Sequence, residues 1–497
     1  MVGVAGCTVG PDYHQPQVML PEQFAAAPPP SAAVAVRETI DPGNWWHALG
    51  DSKLDSLIDR AISANMSLEI ALARLQEART YETVLTGQAL PFVDASAGAG
   101  RGTGSDLARG RVAPPLNAAS NTQGVEQITS VAGFAAGWEI DLFGRFRREV
   151  EAARYDTQAF AAARNAVLVS VVADVARAYL DMRGLQTRHA VLRQNIRSAQ
   201  RSLELVQARF ERGITNELDV TLARRQLATL QAQIAPLDAQ INSAQYAIAV
   251  LLGQYPENVV KELAKPELIP QVPGQISAGM PLDLIRRRPD ILEAERLLAG
   301  STARIGVATA NLFPRLALTA GAGYQQQGLG VTPVENKFIW SAGVAAIWPL
   351  LDFGTLDALV DVADLRTHGL LVNYRQTVLR AVQEVDTAMS AYAGQQDRLR
   401  NLGEALSASQ RAVSLASQRY DRGLTDFLNV VDAQRQEYDL EDQYASAQVG
   451  AADQFVTLYK GLGGGWEQYQ SIPPIHQPQP AIVAGFRRAL HPDDPLK

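Results

Sequence analysis

Hydrophobic and polar positions along this chain follow two periods that alternate in blocks. In four short stretches every second residue is apolar. Val93, Ala95, Ala97 and Ala99 form one set, and Ile128, Ala132, Phe134, Ala136, Trp138 and Ile140 a second. Leu316, Leu318, Ala320, Ala322 and Tyr324 form a third, and Phe338, Trp340, Ala342, Val344, Ala346 and Trp348 a fourth. Gly, Ser, Thr and other small residues fill most of the positions between. Period two predicts strands with one apolar face. They would form hairpins over 91–141 and 315–351, with exposed loops at 101–126 and 325–336 rich in Gly, Asn, Gln and Pro. After each hairpin the pattern becomes helical. No proline occurs between Pro115 and Pro236 or between Pro349 and Pro473, and the residues there are mostly Ala, Leu, Gln, Arg and Glu, which favour helix. A continuous helix of about 68 residues would be ~100 Å long. Gly184, Gly369 and Gly394 could bend these helices without stopping them. Gly213 and Gly423 read as reversals, because helical pattern resumes at Leu218 and Leu428. Each block is therefore an αα-hairpin with its tip at an Arg-Gly pair.

The two blocks are copies. Trp138, Phe143 and Gly144 recur as Trp348, Phe353 and Gly354, Arg209-Phe210-Glu211-Arg212-Gly213 as Arg419-Tyr420-Asp421-Arg422-Gly423, and Leu252-Gly253 as Leu462-Gly463, all shifted by 210 residues. Ala-Ser-Ala-Gly-Ala-Gly (95–100) recurs as Leu-Thr-Ala-Gly-Ala-Gly (318–323), shifted by 223. A repeat this long is a duplicated half, not a solenoid unit. The difference in shift lies between Gly100 and Trp138, in a stretch that behaves as a loop tolerant of insertion. The expected organisation is an N-terminal segment 1–50, a first repeat 51–253, a crossover 254–289, a second repeat 290–466 and a C-terminal tail 467–497. The crossover holds Pro256, Pro266, Pro270, Pro273, Pro281 and Pro289, and the tail is also Pro-rich.

The apolar strand faces raise the question of a membrane. Trp340 and Trp348 stand eight residues apart, roughly 26 Å along a strand. A tilt of ~40° reduces this to about 20 Å, close to the aromatic-flanked band of an outer-membrane barrel. Patterning alone leaves the edge of a soluble β-sandwich open as well. The helices hold no run of 18 or more apolar residues and so offer no transmembrane helix. With 45 basic and 52 acidic residues the net charge is −7, and no basic block points to nucleic acid. The six histidines lack metal-ligand spacing, and HExxH, P-loop and GxSxG patterns are missing. No enzyme, metal or cofactor is implied.

The single cysteine lies in Val4-Ala5-Gly6-Cys7, which resembles a bacterial lipobox; a chance run of small residues before a free thiol is the alternative. Six residues before Cys7 are too few for a charged region and an apolar region, so either the start is truncated or Cys7 is not lipidated in this form. The Pro/Ala-rich stretch to about residue 40 reads as a flexible tether. Several motifs together resemble the lipoprotein branch of the TolC family, the NodT/OprM-like outer-membrane factors of resistance-nodulation-division pumps. They are Gly6-Cys7-Thr8-Val9-Gly10-Pro11-Asp12-Tyr13, Trp45-Trp46 ahead of Leu54-Asp55-Ser56-Leu57-Ile58, Trp138-Glu139-Ile140-Asp141-Leu142-Phe143-Gly144, Arg287-Arg288-Pro289-Asp290-Ile291 with Ala294-Glu295, Leu428-Asn429-Val430-Val431-Asp432-Ala433-Gln434, and Leu462-Gly463-Gly464-Gly465-Trp466.

The resemblance implies a membrane α+β fold. Four strands per chain, twelve in a homotrimer, would form an outer-membrane β-barrel, continued by a long periplasmic α-helical barrel with a mixed α/β equatorial domain. Phe134, Trp138, Phe338, Trp340 and Trp348 would sit at the membrane interfaces. Cys7 would carry lipid on the periplasmic side. Partners would be a periplasmic membrane-fusion adaptor, an inner-membrane resistance-nodulation-division pump and outer-membrane lipid. Function would be passive exit of drugs and toxic compounds, gated at the helix tips. Asp432 matches an acidic pore ring and Leu428 an apolar ring beside it, while Asn429 stands where some relatives carry a second acid. For Asp432 a plain solvated helix position is the alternative. Tyr420 and Asp219 match a tip latch, whereas Thr425 and Ala208 occupy the positions of a second latch, which is therefore lost. A type I secretion duct or a metal-efflux channel of the same fold remains a second reading, and a trimeric coiled-coil adhesin a third.

Overall fold

The structure is a computed structural model and describes residues 8–26, 40–103, 126–273, 283, 287–329 and 335–469. After a 3-10 turn Pro42–Leu49, the elements are α1 Ser52–Ala64, α2 Met66–Gln88, β1 Phe92–Thr103, β2 Glu126–Ile140, α3 Arg145–Glu211, α4 Glu217–Gln231, α5 Ile234–Leu251 and α6 Pro256–Leu263. Then come α7 Pro289–Ala310, β3 Arg315–Leu329, β4 Glu335–Ile347, α8 Thr355–Asp421, α9 Phe427–Gly461 and a short 3-10 turn Glu467–Tyr469. The helices α3 and α8 have 67 residues each, and Gly184, Gly369 and Gly394 lie inside them without interrupting them. The chain divides into two compact units that do not follow the two repeats. Of the described residues, those within 8–18, Leu75–Ala161 and Glu293–Gln376 form one unit, and those within Met19–Arg74, Ala162–Leu292 and 377–469 form the other.

The first unit contains one antiparallel sheet in the order β1-β2-β3-β4. Its register places all four apolar sets on the same face. Ala95 pairs with Phe134, Phe134 with Ala322 and Ala322 with Trp340; Trp138 pairs with Leu318 and Leu318 with Val344. The strands run further than their apolar pattern. β1 reaches Thr103, β3 continues through Gln325, Gln326 and Gln327, and these pair with Lys337, Asn336 and Glu335. The expected loops 101–126 and 325–336 are shortened accordingly, because ladder hydrogen bonds need no apolar side chain. Trp348 lies just past β4 and not within it, at the residue before Pro349, where pairing ends because proline has no N–H to give.

The N-terminal residues 8–13, ahead of the stretch expected as a tether, are fixed to this unit. The Val9 N–H donates to the Phe143 carbonyl at 3.1 Å. Arg148, almost fully buried, donates to the carbonyls of Val9 and Gly10 and to Asp12 Oδ1 at 2.7 Å. The Tyr13 hydroxyl donates to buried Glu295 at 2.8 Å. Two buried charges of opposite sign are thus completed by this segment, and a buried charge without such partners would be costly. Residues 1–7, including Cys7, lie outside the described residues, as do 27–39.

The second unit has a core of helix faces and aromatics. Leu168, Val172, Val175, Ala176, Tyr179 and Leu180 of α3 are fully or almost fully buried. Asp51 caps α1 by accepting from Lys53 and Leu54 N–H, the usual role of an aspartate before a first turn. Trp45 and Trp46 are buried, so the end of segment 1–50 belongs to the core; Trp45 stacks on Tyr459 with centroids 5.9 Å apart and meets Phe455 edge-on. A side chain at Gly464 would stand 2.2 Å from the Pro42 carbonyl oxygen, which is why the chain needs glycine there. Arg288 donates to Asp290, to Glu384 at 2.7 Å and to the Gly461 carbonyl at 2.9 Å. Three motifs that are distant in sequence therefore meet around residues 461–465.

Candidate functional site

The apolar sheet face is exposed along its length. Phe134 is 62%, Trp340 72% and Val344 67% exposed. Tyr324 packs against Phe338 with centroids 5.4 Å apart, which adds Tyr324 to the aromatic row expected from Phe338 and Trp340. Trp138 and its repeat mate Trp348 behave alike. Each donates its indole N–H to the carbonyl just after the helix that precedes its hairpin, Ala89 at 3.2 Å and Leu312 at 3.0 Å. An apolar ring body with one satisfied polar tip suits a membrane interface. The opposite face carries Asp94, Ser96, Gly133, Gly137, Thr319 and Gly343 together with Val131, Ile339 and Ile347, with Phe92 laid over Gly137.

The helix tips belong to the second unit. Both long helices end in the same glycine turn. The Gly213 N–H donates to Phe210 O and Ile214 N–H to Arg209 O; Gly423 N–H donates to Tyr420 O and Leu424 N–H to Arg419 O. Both glycines are left-handed, with φ of 70° and 71°, as this cap requires. Behind the turns, Val206, Val220, Ala223, Tyr420, Phe427, Val430 and Val431 form a buried cluster joining α3, α4, α8 and α9. Since Phe427, Val430 and Val431 face inward, Leu428, Asn429 and Asp432 are left on the exposed face of α9. Leu428 and Asp432 lie one turn apart there, as their spacing predicts. Asp432 accepts from Gln436 at 2.9 Å, and Asn429 donates to the Thr425 hydroxyl at 2.8 Å.

The expected Tyr420–Asp219 pair is not formed within the chain. The Tyr420 hydroxyl is buried in the cluster without a hydrogen-bond partner, its ring tilted against Phe427. Asp219 is engaged locally at the start of α4, where its carboxylate accepts from the Thr215 hydroxyl and its N–H donates to Asn216. A different residue ties the two tips, one that the motifs did not single out. The Arg209 guanidinium lies over the Tyr420 ring at 4.6 Å. It also donates to the carbonyls of Tyr420 and Asp421, both at 3.1 Å, and to the Asp421 carboxylate at 3.3 Å. It thereby caps the C-terminal carbonyls of α8, where a cation is favourable. The signal was present in the repeat, where an arginine recurs at 419.

Further from the tip, burial and then the charge of Asp181 push the Asp453 carboxyl up to about 6, against the pull of Arg177. Among the described residues no group of three or more His, Cys, Asp or Glu could hold a metal.

The family model described as outer membrane efflux protein matches residues 57–254 and 281–464 of this chain. Nodulation protein T of Rhizobium leguminosarum bv. viciae is 29% identical over 495 residues, covering 98% of this chain and 95% of that protein. The toluene efflux pump outer membrane protein TtgC of Pseudomonas putida is 29% identical over 468 residues, 93% of each. The solved structure of the outer-membrane channel OprN matches with a TM-score of 0.81 and 34% identity, over 93% of this chain and all of that one.

Proposed function

The chain belongs to the outer membrane efflux protein family, and from that membership we propose that it works as a homotrimer, the exit channel of a tripartite pump gated at its helix tips. It is an outer-membrane efflux channel and not an enzyme, and its fold is that of the TolC-type channels, a β-barrel with a long helical barrel. The observation that carries the trimer is the sheet. Among the described residues it has four strands, with β1 and β4 at its ends. Single-chain outer-membrane barrels start at about eight strands, whereas three copies supply twelve.

In this reading the chain performs no chemistry. The sheet face that is mostly small and polar lines the pore, and the apolar face meets lipid. At the tips, three copies of Leu428 make an apolar ring that excludes water, and three copies of Asp432 lower the potential beside it and favour cations. Asn429, uncharged, leaves that acidic ring single. Gly213 and Gly423 set the turns that hold the rings in place. Within this chain Tyr420 and Asp219 are apart, so closure rests on the Leu428 ring and on packing of the tip cluster. The cargo is small toxic compounds, in keeping with the toluene efflux named for one relative; an adaptor and an inner-membrane pump choose it and deliver it. The test is native mass in detergent followed by single-channel recording. Three copies are expected, with conductance raised in a Leu428→Ala, Asp432→Ala double variant. A monomer that conducts would exclude the trimer, and unchanged conductance would place the constriction elsewhere.

A further inference from the structure

We propose that in the assembled ring Arg419 of each chain clamps the end of α3 in the neighbouring chain, repeating between chains the clamp that Arg209 makes within one. The inference rests on the trimeric reading above. The template is the intrachain contact, in which Arg209 of the first hairpin covers the Tyr420 ring and holds the last carbonyls and carboxylate of α8, in the second hairpin. Every part of it has a mate 210 residues away: Arg419 for Arg209, Phe210 for Tyr420, and Glu211 for Asp421. The Tyr420 hydroxyl takes no part, so phenylalanine serves as well. Both helices end in the same glycine turn, so α3 presents its terminal carbonyls as α8 does.

The mates are open where the originals are closed. Tyr420 is 7% exposed, and Phe210 is 44% exposed. The side chains of Arg419 and Glu211 are exposed and make no hydrogen bond or ion pair among the described residues. A ring of three chains alternates first and second hairpins. If each first hairpin clamps the second hairpin beside it, closing the ring places each second hairpin against the first hairpin of the next chain. The occupant of the exposed Phe210 face is therefore a second copy, and what covers it is Arg419. The guanidinium would gain a ring face, two carbonyls and a carboxylate, the set that favours arginine over lysine at a stacked site. Opening the tips would then break the clamps between chains while the clamp within each chain keeps its two hairpins together.

The experiment replaces Phe210 with the photoreactive p-benzoylphenylalanine in the detergent-solubilised channel, with the same replacement at Tyr420 as a reference. After illumination, the position-210 protein should run as covalent dimers on a denaturing gel, joined to the peptide that contains Arg419. The position-420 protein should stay monomeric, joined internally to the segment holding Arg209. Arg419→Glu should abolish the dimer band, and adding Glu211→Arg should restore it. Three chains by native mass, with position 210 joined only within its own chain or not at all, would overturn the clamp and leave the trimer standing. One chain by native mass would overturn the trimeric reading itself, and the clamp with it.

Discussion

Asp453 on α9 has one carboxylate oxygen buried without a hydrogen-bond partner, and its carboxyl is raised to about 6. A folded-state value above the unfolded one means that the fold prefers the protonated form. Stability therefore falls as pH rises from about 4 through about 6, and the penalty is fully present above that. Asp453→Asn should raise stability near pH 7.5 by about 1–2 kcal/mol, after a discount for partial exposure, and by little near pH 4. Thermal unfolding at the two pH values checks this; an equal gain at both would show that the charge is not the cause. Tyr420 makes the opposite case for a conspicuous polar group. Its hydroxyl is unpartnered, so Tyr420→Phe should change stability by no more than about 1 kcal/mol, toward gain, and leave conductance as it was. A rise in conductance would instead reveal a Tyr420–Asp219 latch in the closed assembly.

At the level of elements, the sheet is set by alternation and the tips by their turns. Val344 and Gly343 are adjacent in β4 and point to opposite faces. Val344→Arg should bring a charge to the lipid face and cost roughly 2–4 kcal/mol, seen as poor assembly. Gly343→Arg should assemble and lower conductance. Normal assembly of the first and normal conductance of the second would reverse the facing. Much of this level could be read from the chain. Both 67-residue helices, both glycine turns and the shared apolar face follow from period and from the place of glycine and proline. Strand ends were less readable, as at Gln325–Gln327, since backbone pairing extends past the apolar signal.

For the whole molecule, the N-terminal contacts bear on anchoring. Residues 8–13 are held by Arg148 and Glu295, so the chain enters the first unit at a fixed place directly after Cys7. Given an upstream signal peptide, Cys7 should take up labelled palmitate, and Cys7→Ser should lose the label. The barrel should still hold the Ser variant in the outer membrane, as fractionation would report. Label retained by that variant would put the lipid elsewhere.

The sequence by itself determined the four strands and the two long helices with their glycine reversals, because periodicity and breakers are local properties of the chain. It also determined that the chain is doubled, and through its motifs which family it resembles. Only the tertiary structure decided what those motifs do. Trp45-Trp46, Arg288 and the glycines at 463–465 are far apart in the chain and meet in one packed region. Arg209 is set against Tyr420 from the other half of the chain. The physical reason is that a hydrogen bond or a stacked ring depends on where helices cross. That is fixed by packing across hundreds of residues, and nothing in a local pattern records it.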